Sequence, residues 1–180
     1  MILIVNVCSD RLSYFEFVKP VEDIVNKAGM EFLTQGFRSV NHSGVNQAER
    51  VVICGTALND FEYLNDVDKF EWITKSDVPI LGICAGMQVL ARAFNSDIVR
   101  RTRIGTYRVK VVQESGLLAK VEFHSYFLNS RAVKLNEDFE TLGKSGSLEC
   151  IVRHKRRELY GCLFHPEVLN PEIIINFLRQ

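Results

Sequence analysis

Residues 78–94 read VPILGICAGMQVLARAF, and no other stretch constrains the fold as much. A short run that is apolar at nearly every position (78–83) stops at Cys84, and a helical pattern (85–94) begins at once. A strand without polar alternation is buried on both faces. A buried strand passing directly into a helix is half of a strand–helix–strand unit, which calls for a parallel sheet flanked by helices. Gly82 and Gly86 stand two residues on either side of Cys84. That is the Gly-x-nucleophile-x-Gly spacing of a strained strand-to-helix elbow. Glycine is needed there because the turn is tight and neighbouring backbones approach closely.

The rest of the chain extends the pattern. Residues 2–7 and 50–55 read as further buried strands. Phe17, Val18, Val21, Ile24, Val25 and Ala28 recur at helical spacing and end at Gly29, a suitable residue just past a helix. Ser13 with Glu16 has the form of a capping box, and Pro20 fits a first helical turn after an irregular lead-in. Asn59, Glu62 and the spacing of Phe61, Leu64, Val67, Phe70 and Ile73 predict a helix after the second of those strands. Trp72 on that helix is expected to pack in the core. In the second half, residues 107–113, 118–123, 139–144, 150–153 and 159–164 look like short strands separated by turn signals. Residues 171–178 predict a closing helix with Pro171 in its first turn. The expectation is one domain over residues 1–180, of α/β class. It has an open, mostly parallel twisted sheet, helices on both faces and some antiparallel strands. Sites in such sheets collect at the carboxyl ends of the strands.

Composition removes several function classes. With 47% hydrophobic residues, the 180-residue chain can bury a sizeable core. Its formal net charge of zero does not suit a strongly basic nucleic-acid binder. No apolar run approaches the ~20 residues of a membrane helix, and the start lacks a basic leader. The five cysteines are odd in number and form no Cys-x-x-Cys pair, so a reducing, cytoplasmic setting is expected. No Gly-rich phosphate loop or metal constellation is visible, and no cofactor is expected. The basic runs at 100–103 and 153–157 suit either a solvated surface or an acidic partner, and a solvated hairpin turn is the commoner explanation of the second.

The chemistry centres on Cys84. A free cysteine is ordinarily core filler, and Cys8, Cys54, Cys150 and Cys162, in or beside apolar strands, are read that way. Cys84 differs because an elbow places its sulfur at a helix N-terminus, where backbone N–H groups and the macrodipole favour the thiolate. His165 and Glu167, in LFHPEV, follow the last strand. A histidine shuttles protons and a carboxylate holds its tautomer, as in other nucleophile–base–acid sets.

GICAGMQ and FHPE together resemble the class I (triad) glutamine amidotransferases, and the likeness spans roughly residues 50 to 178. The resemblance implies a flavodoxin-like fold and hydrolysis of glutamine to glutamate and ammonia. It implies Cys84 as nucleophile, His165 as acid and base, and Glu167 as its orienting partner. Backbone N–H groups of Gly55 and Ala85 match the oxyanion hole. Gln88 matches a substrate-binding position, and His124, Ser125 and Tyr126 match the family's second substrate-binding stretch. The chain departs from the family at Cys54-Gly55-Thr56-Ala57, where Ser-Gly-Gly-Pro is usual, and at Asn95-Ser96, where Gly-Gly is common. By resemblance the ammonia passes to a separate synthetase. Candidate systems are GMP synthase first, then imidazole glycerol phosphate synthase and anthranilate or aminodeoxychorismate synthase. Two rival expectations are a γ-glutamyl amide hydrolase acting without a synthetase and a non-enzymatic regulator; the intact Cys84, His165 and Glu167 set argues against the latter.

Overall fold

The structure, a computed structural model, describes residues 1–180. Strand β1 (Ile2–Asn6) leads through a single helical turn, α1 (Arg11–Ser13), and a π-turn at Tyr14–Val18 into α2 (Lys19–Lys27). β2 (Phe32–Gly36) and α3 (His42–Asn46) follow, then β3 (Arg50–Ile53). Three separate turns come next: α4 (Glu62–Asn65), a 3₁₀ turn at Val67–Phe70, and α5 (Trp72–Lys75). β4 (Ile80–Ile83) passes through Cys84 into α6 (Ala85–Ala93). Two long strands, β5 (Asp97–Val111) and β6 (Glu122–Lys134), precede β7 (Phe139–Ser145), β8 (Leu148–His154) and β9 (Leu159–Cys162). Helices α7 (Pro166–Leu169) and α8 (Pro171–Arg179) close the chain. No helix is long and apolar enough to cross a membrane.

One nine-stranded sheet has the order β2-β1-β3-β4-β9-β8-β7-β5-β6. The pairs from β2 to β9 are parallel and the pairs from β9 to β6 are antiparallel. The α/β class is as expected, but the sheet is half parallel rather than mostly so. The cause lies in the connections. β1, β2, β3 and β4 are joined through helical segments, which let the chain cross over and pair parallel, whereas β7, β8 and β9 follow one another through short turns and pair as hairpins.

Successive residues of β1 serve opposite faces. Ile2 and Ile4 join a core of 31 buried residues, while Leu3 and Val5 join a second of 18. Val21 and Val25 of α2 and Ile174 and Phe177 of α8 cover the first. Tyr63, Phe70, Trp72 and Ile73 cover the second, so Trp72 packs as expected. Cys54, Cys150 and Cys162 are wholly buried in the first core, and Cys8 is half-buried beside it.

Several local expectations need correction. Asp10, not Ser13, caps the first turn: its carboxylate accepts from the Ser13 N–H at 2.9 Å and from the Ser13 hydroxyl at 2.6 Å. The expected continuous helix from Asn59 to Ile73 is broken into three turns, and Asn59 caps none of them. There Asp60 accepts from the Glu62 N–H, and its carboxylate is also held by Ser9 and Thr56, so tertiary bonds set the local geometry. The strand expected at 118–123 is replaced by a single bridge at Leu118, and β6 starts at Glu122. Asn95, at the Gly-Gly position of the resembling family, takes a left-handed φ of 61°. Asparagine tolerates that region, so the glycine is dispensable there.

The elbow glycines are held by close packing. A β-carbon on Gly82 would lie 2.5 Å from the Gly86 backbone, and one on Gly86 would lie 2.3 Å from the Ile53 carbonyl oxygen. Backbone cannot yield as a flexible side chain can. The Gly86→Ala protein is expected to be destabilised by about 3 kcal/mol, the upper range for overpacking. Chemical denaturation reads this directly, and an unchanged midpoint contradicts it.

Candidate active site

Four features converge at one place: the loop after β3, the elbow after β4, the segment after β9, and the middle of β6. Cys84 has φ 49° and ψ −98°, a region that side chains rarely adopt. Such strain persists only where the surroundings enforce it. Here the Cys84 N–H is fixed to the Cys162 carbonyl at 2.6 Å, and the Gln88 N–H donates to the Cys84 carbonyl at 3.2 Å. The thiol donates toward the Leu128 carbonyl, with Sγ 3.6 Å away.

His165 and Glu167 meet Cys84 from the end of β9. His165 Nδ1 and Glu167 Oε1 are 2.8 Å apart, and both side chains are buried. The His165 N–H donates to the Tyr126 carbonyl at 2.8 Å, which fixes the backbone below the ring. His165 Nε2 is buried and makes no hydrogen bond. Burial opposes charge on His165, but the Glu167 carboxylate and then the Cys84 sulfur outweigh it, so its pKa lies well above 6.5. Glu167 Oε1 accepts from Nδ1–H, so Nε2 is the ring nitrogen without a partner in the chain.

The other thiols differ. Burial pushes Cys8 up to about 11 and Cys150 up to about 12, and holds Cys54 and Cys162 well above 9. They stay protonated and inert near neutral pH.

Gly55 lies against both Cys84 and His165. A β-carbon there would lie 2.7 Å from His165 Cε1 and 3.4 Å from Cys84 Cβ. Its N–H makes no hydrogen bond within the chain, and its carbonyl receives the Cys8 thiol at 3.6 Å. Asp60 fixes the loop beyond it, accepting from Thr56 Oγ1 at 2.6 Å and from the Ser9 N–H at 2.8 Å. This network ties the loop down although it carries no proline. Gly55→Ala is expected to displace His165, lower turnover by about 10²-fold, the lower range for a misplaced acid–base group, and cost about 1–3 kcal/mol of folding stability through overpacking. Steady-state rates with parallel melting curves check this. A fully active alanine variant contradicts it.

The cavity beside Cys84 is lined by Thr56, Ala57, Leu58, Phe61, Tyr63, Ala85, Gln88, Leu128, Asn129 and Ser130, with Asp60 at its base. Ala85 and Gln88 thus border the space next to Cys84. Gln88 Oε1 accepts from the Tyr63 hydroxyl at 2.8 Å. His124, Ser125 and Tyr126 do not line it. His124 is exposed opposite Arg108, Ser125 is wholly buried, and Tyr126 supports His165 through its backbone. Their place in the cavity is taken by Leu128, Asn129 and Ser130, further along β6. The cavity has room for about one water molecule. Ser130 Oγ donates to the Leu58 carbonyl at 3.1 Å, and Arg131 lies over the Phe61 ring at 3.6 Å. These contacts close the site. No group of three or more His, Cys, Asp or Glu side chains is placed to hold a metal ion.

The sequence profile of the family described as glutamine amidotransferase class-I matches residues 25–179. The chain belongs to that family. It is 34% identical over 116 residues to a glutamine-hydrolyzing GMP synthase subunit of Methanococcus maripaludis, covering 58% of this chain and 61% of that one. It is 30% identical over 117 residues to the glutamine-hydrolyzing GMP synthase of Prochlorococcus marinus, covering 61% of this chain and 22% of the other. The matched segment thus spans less than two thirds of these relatives' length. Among solved structures, a candidate GMP synthase subunit from Thermoplasma acidophilum superposes with a TM-score of 0.88 at 22% identity, covering 99% of this chain and 92% of that one. At that identity the likeness speaks for the amidotransferase fold.

Proposed function

We propose that this chain is a glutaminase subunit of the GMP synthase type, working in the cytoplasm and passing ammonia to a separate synthetase. The observation that carries the proposal is Cys84 on its strained elbow beside a buried His165 whose Nδ1 is bound by Glu167. The names of the matched relatives support the choice of pathway.

The steps follow from the geometry. Glutamine lies in an opened form of the cavity with its side-chain amide at Cys84 Sγ. The thiolate adds to the amide carbon, and the carbonyl oxygen takes up the negative charge. The N–H groups of Gly55 and Ala85 stabilise that oxygen. His165 gives its proton to the departing nitrogen, releasing ammonia and leaving a γ-glutamyl thioester. Water then loses a proton to His165 and attacks the thioester, freeing glutamate and restoring the thiolate. Gln88, Tyr63 and the 128–130 backbone hold the substrate.

Ammonia release from glutamine, measured for the chain alone and with the synthetase component of a GMP synthase, tests this. The expected result is hydrolysis that the partner stimulates and that yields GMP from glutamine. Robust hydrolysis of several γ-glutamyl amides with no response to the partner would favour a stand-alone hydrolase instead.

A further inference from the structure

Arg100 and Arg131 stand directly opposite each other on β5 and β6. Like charges so placed destabilise a sheet. Arg100 and Arg131, like several other arginines, pair with no carboxylate of this chain, whereas Arg38, Arg108, Arg153 and Arg156 do. The β5–β6 register breaks just after Arg100, between it and Arg103. The two arginines line a solvent-open pocket of about 260 Å³ with Asn59, Phe61, Thr102 and Ser130, and no acidic residue lines it. Phe61 and Ser130 also line the Cys84 cavity, so the pocket forms the mouth of the candidate active site.

We propose that Arg131, assisted by Arg100, binds the α-carboxylate of the substrate glutamine at this mouth. The inference rests on the glutaminase reading above and names the group that selects its substrate. Glutamine carries its carboxylate beyond Cβ and Cγ, at the far end from the amide that Cys84 attacks. A guanidinium at the mouth therefore matches a substrate lying lengthwise in the cavity. Guanidinium and carboxylate pair through two parallel N–H···O bonds, a stronger match than stacking on an aromatic ring. In the closed state the Arg131 guanidinium lies on Phe61. Exchanging that ring for the carboxylate releases Phe61, which lets the cavity open as glutamine binds.

The test uses two electrophiles that differ only in the carboxylate: 6-diazo-5-oxo-L-norleucine and its decarboxylated analogue. In each, Cys84 sulfur attacks the protonated diazomethyl carbon, N₂ leaves, and a thioether remains. The rates of Cys84 labelling are measured for the native chain, Arg131→Gln, Arg131→Lys and Arg100→Gln. The native chain is expected to prefer the carboxylate-bearing reagent. Arg131→Gln should lose about tenfold of that preference, Arg131→Lys should recover part of it, and Arg100→Gln, at an exposed strand position, should lose less. Loss of the ring contact alone would speed both reagents equally and leave the preference intact. An unchanged preference in both glutamine variants overturns the inference while leaving the glutaminase reading standing. No labelling of native Cys84 by either reagent overturns both.

Discussion

Cys84→Ala is expected to lower glutamine hydrolysis by about 10⁴-fold or more, the scale seen when a nucleophile is removed from a triad. Every other thiol is held protonated by burial, so none can substitute. A second replacement separates chemistry from strain. Cys84 sits at φ 49° and ψ −98°, where a β-carbon costs about 1–3 kcal/mol. Alanine keeps that β-carbon and glycine removes it. Cys84→Gly should therefore be as inactive as Cys84→Ala yet melt about 2–12 °C higher, given the size of the chain. The comparison between the two variants cancels loss of the sulfur, which both share. Equal melting temperatures would mean that the elbow stores no strain.

Glu167→Gln is expected to reduce turnover by about 10⁴-fold, because the neutral amide neither supports an imidazolium nor fixes the tautomer. The stability of the folded chain should also change its pH dependence. His165 has a folded pKa raised well above 6.5, chiefly by Glu167 against the opposing effect of burial. A raised pKa means the folded state binds the proton more tightly. Its stabilising contribution is fully present below pH 6.5 and is lost as pH rises through the raised value. In Glu167→Gln the burial of His165 is no longer offset by the carboxylate. The stability gap between wild type and variant should then be wide near pH 6 and narrow at alkaline pH. Denaturation midpoints across that range check the sign. A gap that grows with pH would contradict the assignment of charge to His165.

The grouping of Cys84 with His165 and Glu167 was legible because local chemistry marks them. Gly82 and Gly86 are demanded because a β-carbon at either would run into neighbouring backbone, and such demands show directly in sequence. His165 and Glu167 follow a short buried strand whose end sets their position. Which stretch of β6 lines the Cys84 cavity was not legible in the same way. His124-Ser125-Tyr126 has the right residue types, but β6 is 13 residues long. Its pairing with β5 decides which segment reaches Cys84, and register is a long-range property. The break between Arg100 and Arg103 further separates local pattern from spatial position. β2 is hidden in the sequence because it is an edge strand with partly exposed residues, and its apolar signal is weak. The helix expected after Asn59 failed because Asp60 is recruited by Ser9, 51 residues away in sequence. Tertiary bonds overrode a correct helical spacing.

The central claim is that Cys84 carries the glutamyl group during turnover. The most direct measurement is acid quenching during glutamine hydrolysis, followed by peptide mass mapping of the five cysteines. A γ-glutamyl adduct is predicted on the Cys84 peptide alone, accumulating when thioester hydrolysis is slowed and absent from Cys84→Ala. Sustained hydrolysis by Cys84→Ala, or an adduct on Cys8 with none on Cys84, would contradict it.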